Sequence, residues 1–101
     1  MVTNKQQVIK ILKDNSEQLK KLGVEKMGVF GSFVSGTQNN SSDVDLLVQF
    51  ENGQKNFKNF MGTADLTEAL LGRTVDLLTP ESLSPYIGPH IKKGVEYVQI
   101  A

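Results

Sequence analysis

Gly31-Ser32-Phe33-Val34-Ser35-Gly36-Thr37-Gln38-Asn39-Asn40-Ser41-Ser42-Asp43-Val44-Asp45-Leu46-Leu47-Val48 is the stretch whose reading decides this chain. A glycine-serine turn leads through a small polar loop to two aspartates, spaced i, i+2, at the head of an apolar strand. Alternate residues of a strand share a face, so Asp43 and Asp45 point the same way while Val44 is directed into the core. Two carboxylates side by side repel unless a cation lies between them. Hard oxygen donors at that spacing suit Mg2+, which takes one or two protein carboxylates and fills its remaining positions with water and phosphate oxygens. The Gly31-Ser32 turn can offer N–H groups and a hydroxyl to those phosphates. The stretch therefore implies a site for a nucleoside triphosphate and a divalent metal.

Outside this stretch, length and composition set bounds. The 101 residues make one domain, 1–101, with a single core and no room for a deep enclosed pocket, so a partner or a second copy is expected to complete the site. Lys plus Arg equals Asp plus Glu at 11 each, which gives no general attraction to nucleic acid or to an anionic membrane. Neither is expected as a partner. The absence of cysteine excludes disulfides, thiolate metal sites and cysteine nucleophiles. The polar start and the lack of a long apolar run point to a cytoplasmic protein.

Thr3 and Gln6 have the form of a capping box, and Val8, Ile11, Leu12, Leu19 and Leu22 recur at helical spacing until Gly23; an amphipathic helix over 3–22 is predicted. Val24–Phe30 and Asp43–Phe50 read as strands, with a loop over Ser35–Ser42 between them. Asn52-Gly53 marks a turn. A second helix follows, with Phe57, Phe60, Met61, Ala64 and Leu71 at core spacing and Gly72 as its stop. Arg73–Thr79 is a third strand, 81–93 a partly helical segment interrupted by Pro85, Gly88 and Pro89, and Val95–Ile100 a final strand or an extended tail. The order α-β-loop-β-α-β-α-β implies an α/β (α+β) domain, a small mixed sheet of about four strands with helices packed against it.

Val75-Asp76-Leu77-Leu78 repeats the pattern of Val44-Asp45-Leu46-Leu47. An aspartate inside an apolar strand is costly unless it is paired, hydrogen-bonded or bound to metal. If the two strands are neighbours, Asp76 joins Asp43 and Asp45, and a two-metal site for phosphoryl or nucleotidyl transfer follows.

Taken together, Gly31-Ser32, Gly36, Ser42-Asp43-Val44-Asp45-Leu46, Leu71-Gly72-Arg73-Thr74-Val75-Asp76-Leu77 and Leu83-Ser84-Pro85-Tyr86-Ile87 resemble the minimal nucleotidyltransferase (MNT) domains of the DNA polymerase β-like superfamily. Members of that family commonly serve as antitoxins paired with a HEPN-domain toxin. The resemblance implies a polymerase-β-like fold and Mg2+-dependent transfer of a nucleoside monophosphate from ATP to a hydroxyl, typically a tyrosine, of that toxin. By position, Asp43 and Asp45 would hold both metal ions, and Asp76 would hold the catalytic one and help deprotonate the acceptor. Gly31, Ser32 and Ser42 would bind the nucleotide. One departure stands out: family members often carry arginine in the glycine-serine loop, where Phe33, Val34 and Ser35 stand here, and Arg73 is the only arginine in the chain. A fixed cationic fork for phosphate is thus missing from the loop.

Other readings bear on these residues. Gly31 to Thr37 has the glycine spacing of a P-loop but lacks its lysine. A tight turn suffices to explain Gly36 but not Gly31. His90, with no second histidine or cysteine to join it, suits a surface or interface, as do Tyr86 and Tyr97, which could equally be packing residues. Phe57, Phe60 and Met61 are expected in the core. Lys20, Lys21, Lys92 and Lys93 read as solvated, with Lys92 or Lys93 within reach of a phosphate. Two functions compete with toxin modification: an antitoxin that neutralises its partner by binding alone, and a small-molecule nucleotidyltransferase of the antibiotic-modifying type.

Overall fold

A computed structural model describes residues 1–83, 88–89 and 94–101. Two helices, α1 (Lys5–Asp14) and α2 (Ser16–Lys21), precede strand β1 (Val24–Phe30). A single turn, α3 (Ser32–Ser35), and a polar loop lead to β2 (Val44–Phe50); α4 (Phe57–Leu71) then crosses to β3 (Val75–Leu78). A 3-10 turn at Pro80–Ser82 and strand β4 (Glu96–Gln99) complete the described fold. The four strands form one sheet in the order β3-β2-β1-β4, parallel between β2 and β3 and antiparallel elsewhere. The mixed sheet expected from the sequence is thereby observed.

Register assigns the two faces of the sheet. Met27 lies opposite Val48 and Val98, Val29 opposite Leu46, and Val44 and Leu46 beside Val75 and Leu77. All of these are buried, and with Val8, Leu12, Leu19, Phe33 and Leu71 from the helices they form the main core. The opposite face carries Gly28, Phe30, Asp45, Leu47, Asp76, Leu78 and Tyr97, one residue out of phase. A side chain at position 28 would collide with Val95 and press on the Tyr97 ring, so the glycine lets these two lie flat on this face.

Four expectations shift. The single helix 3–22 is two helices, because Asn15 turns its amide back onto the Ile11 carbonyl (2.8 Å) and leaves helical geometry at φ −112°, ψ 22°. The helix cap is Asn4, whose side chain accepts from the Gln7 amide at 2.9 Å while Gln7 accepts from the Thr3 amide at 2.7 Å. Thr3/Gln6 and Asn4/Gln7 both fit the capping pattern, and burial of Val8 and Leu12 fixes the later phase.

The second shift concerns α4. Phe57 is 81% exposed and Met61 40%, so neither belongs to the core; Phe60 is half-buried against it. The helix instead buries Thr63, Thr67 and Leu71. Threonine is admissible there because each hydroxyl donates one turn back, Thr63 to the Asn59 carbonyl (2.8 Å) and Thr67 to the Thr63 carbonyl (2.8 Å). Third, β2 begins at Val44 rather than Asp43, and β3 is confined to Val75–Leu78, leaving Arg73 just before it. Fourth, Ser35 closes the α3 turn instead of opening the loop. Lys20 and Lys21 are exposed as expected, whereas Tyr86, His90, Lys92 and Lys93 lie outside the described residues.

Candidate active site

Asp45 and Asp76 are direct register partners on the parallel strands β2 and β3. They therefore stand side by side on the sheet face away from the main core, about 5 Å apart strand to strand. Asp43 lies two residues before Asp45, one position outside the strand, with the intervening Val44 fully buried. Asp43 and Asp76 are exposed and Asp45 is half-buried, so the group opens to solvent.

The electrostatics follow from this placement. Burial, then the charge of Asp76, then that of Asp43, raise the Asp45 carboxyl above its ordinary pKa. The ion pairs among the described residues, Lys5–Glu96, Lys10–Asp14 and Lys55–Glu81, involve none of the three aspartates. Nor do three His, Cys, Asp or Glu side chains gather into a ready-made metal cage among the described residues. Asp45 and Asp76 are thus brought together, and Asp43 comes close enough for Asp45 to sense its charge, short of a closed three-ligand cluster. This donor set fits Mg2+, which asks for one or two carboxylates and draws its other oxygens from water and phosphate.

Gly31 joins the group from β1. Phe30 pairs with Asp45, so the next residue passes directly beneath the Asp45 carboxylate, where any Cβ would collide with it. The backbone there has φ 74° and ψ −145°, open to glycine alone. Gly31 thus serves both a turn and a close approach, while Gly36, with φ 79° and open space around it, serves only a turn. Ser32 starts α3, and its carbonyl receives the amides of Gly36 (2.9 Å) and Thr37 (3.0 Å). Ser42, expected at the nucleotide, has its hydroxyl oxygen occupied by the Asn39 amide at 2.8 Å and so closes the 39–42 turn in this conformation.

Sequence reasoning missed Arg73 as part of the site's framework. Its side chain is buried, donating to the carbonyls of Val2, Asn39 and Ser42 and lying over the Phe33 ring. The available signal was a lone arginine between a helix-stopping glycine and a buried strand. Lys26 above the Tyr97 ring, at 4.5 Å, was likewise not foreseen.

Comparison with known proteins gives concordant matches. The Nucleotidyltransferase domain family matches residues 6–100. The protein adenylyltransferase MntA of Thermococcus cleftensis is 38% identical over 94 residues, covering 92% of this chain and 94% of that protein. A Methanocaldococcus jannaschii protein, provisionally named a protein adenylyltransferase, is 36% identical over 91 residues, covering 88% of this chain and 85% of its own. Among solved structures, one provisionally described as a minimal nucleotidyltransferase superposes with a TM-score of 0.70 at 27% identity over 87% of this chain and 93% of that one. A chain of a toxin–antitoxin crystal structure with AMP-PNP shares the fold at a TM-score of 0.63 and 24% identity, over 98% of this chain and 73% of that one.

Proposed function

The chain belongs to the nucleotidyltransferase domain family, and from that premise we propose that it transfers adenylate from ATP to a hydroxyl, a tyrosine in particular, of a HEPN-domain toxin and so acts as its antitoxin. The observation that carries this reading is the in-register pair Asp45 and Asp76, with Asp43 adjacent and no cationic partner among the described residues. Among the described residues nothing neutralises these carboxylates, an arrangement that is costly for the free chain and relieved by a bound cation. Two relatives named protein adenylyltransferases, each matching most of their own length, support a protein acceptor.

In the reaction, the acceptor oxygen attacks the α-phosphorus of ATP, the bond to the β-phosphate breaks, and pyrophosphate leaves. Asp43, Asp45 and Asp76 would hold Mg2+, which supplies charge neutralisation at the phosphates and a lowered barrier to deprotonation of the acceptor. Asp76, on the open edge of the group, takes the acceptor proton on its carboxylate. Gly31 keeps the phosphate approach clear of side chains, and Ser32 lies next to it to bind the triphosphate.

A second reading, neutralisation by binding alone, is favoured by one observation. The single arginine is committed to backbone carbonyls and leaves the 31–36 loop without a guanidinium for phosphate. Intact-mass analysis of the toxin after incubation with this chain, ATP and Mg2+ decides between them. An adenylate adduct that disappears with Asp43→Asn and with Asp45→Asn supports transfer. Full neutralisation by the double variant, without adduct, would establish binding alone.

A further inference from the structure

We propose that Arg73 is a positioning residue for this site, a buried fork that fixes the loop delivering Asp43 relative to Asp45 and Asp76. The inference rests on the reading of the three aspartates given above. Arg73 is 8% exposed. Its Nε donates to the Val2 carbonyl at 2.7 Å, and one terminal nitrogen donates to both the Asn39 carbonyl at 2.9 Å and the Ser42 carbonyl at 2.8 Å. The guanidinium carbon lies 5.1 Å from the centre of the Phe33 ring. No carboxylate pairs with it among the described residues, so carbonyl dipoles and one aromatic face hold a buried charge.

The segments that converge on this group are those that carry the site. Phe33 belongs to the turn that begins just after Gly31, and Ser42 is bonded directly to Asp43. Arg73 itself lies three residues before Asp76, with Thr74 between accepting the Val44 amide at 3.0 Å. The loop has few other holds: Asn39, Asn40, Ser41 and Asp43 are exposed, Gln38 donates to the Thr3 carbonyl at 3.1 Å upstream of the turn, and the bonds within 39–42 close that turn alone. A planar fork that donates in several directions suits divergent carbonyls, and an ammonium on a flexible stem does not. Arg73 therefore suppresses the freedom of Asp43, which would otherwise have to be lost when metal and nucleotide bind.

The test uses Arg73→Lys and Arg73→Gln, with Asp43→Asn for comparison. Binding of Mn2+ with AMP-PNP is measured by calorimetry, and exchange of the Ser42 amide by NMR or mass spectrometry, on chains shown by circular dichroism to be folded. Both Arg73 variants should bind at least about tenfold more weakly, as expected when a supporting residue behind a metal ligand is lost. Their Ser42 amide should exchange faster. Asp43→Asn should lose binding while keeping the amide protected. Wild-type affinity with wild-type protection in either folded variant overturns the proposal, and so does failure of both variants to fold, which would make Arg73 a requirement of the fold. If the wild-type chain binds no Mn2+ with AMP-PNP, the proposed function fails; exchange alone then decides the clamp, equal protection in wild type and variants overturning it.

Discussion

Replacing Gly31 by alanine tests the close approach of β1 to the carboxylate group. An L-residue at φ 74°, ψ −145° is strained whatever the space, at about 1–3 kcal/mol. The added methyl also meets the Asp45 carboxylate, which can give way only by rotating out of its place beside Asp76 while the backbone register stays put. Together these should cost about 3 kcal/mol, or a fall in Tm of roughly 10–20 °C for a domain of this size. A double-mutant cycle with Asp45→Ala separates the two causes. In the alanine background only the Asp45 Cβ remains, 3.2 Å from the new methyl, so the steric part largely vanishes and the backbone part persists. The expected cost there is about 2 kcal/mol, giving a coupling of about 1 kcal/mol. Urea unfolding of the four proteins measures it. Equal costs in both backgrounds would refute the contact, and a neutral Gly31→Ala would refute the backbone assignment itself.

Asp45→Asn should raise the Tm of the chain in EDTA by a few degrees at neutral pH. Because the folded-state pKa of Asp45 is raised, its favourable contribution is complete below the ordinary carboxylate range and is lost as pH rises through the raised value. Wild type should therefore be penalised at neutral pH and stabilised by added Mg2+, whereas the variant should lack this part of the pH response and gain less from Mg2+; a lower Tm for the variant in EDTA contradicts this. Phe57→Ser, at an 81% exposed position, should change stability by no more than about 0.5 kcal/mol, against about 2–5 kcal/mol for Leu71→Ala. Asn56→Ala removes the side chain that accepts from the Asn59 amide at 2.8 Å and caps α4, and chemical denaturation should register a loss of about 1 kcal/mol.

The strands and the aspartates were legible in the sequence because their signals are local. A valine or leucine on either side of an aspartate fixes which face the carboxylate takes, and Asn-Gly and Leu-Gly endings mark where elements stop. The phase of α4 was not legible, since hydrophobicity ranks Phe57 and Met61 above Thr63 and Thr67. Only the back-bonds to Asn59 and Thr63 make the threonines suitable for burial. The break at Asn15 depends on one side-chain amide choosing a carbonyl over solvent. For Arg73 no local signal revealed its environment, which is assembled from Val2, Phe33, Asn39 and Ser42, all distant from it along the chain.

Because Asp45 and Asp76 stand side by side across a hydrogen-bonded ladder, the gap between their backbones is a lattice constant of the sheet. Neither the turn at Asn52-Gly53, between β2 and α4, nor the length of the crossing helix sets it. Residues spliced into that solvent-facing corner would lengthen the path from one aspartate to the other without widening the gap, which makes the corner the natural place for a probe, a tag or a grafted recognition loop.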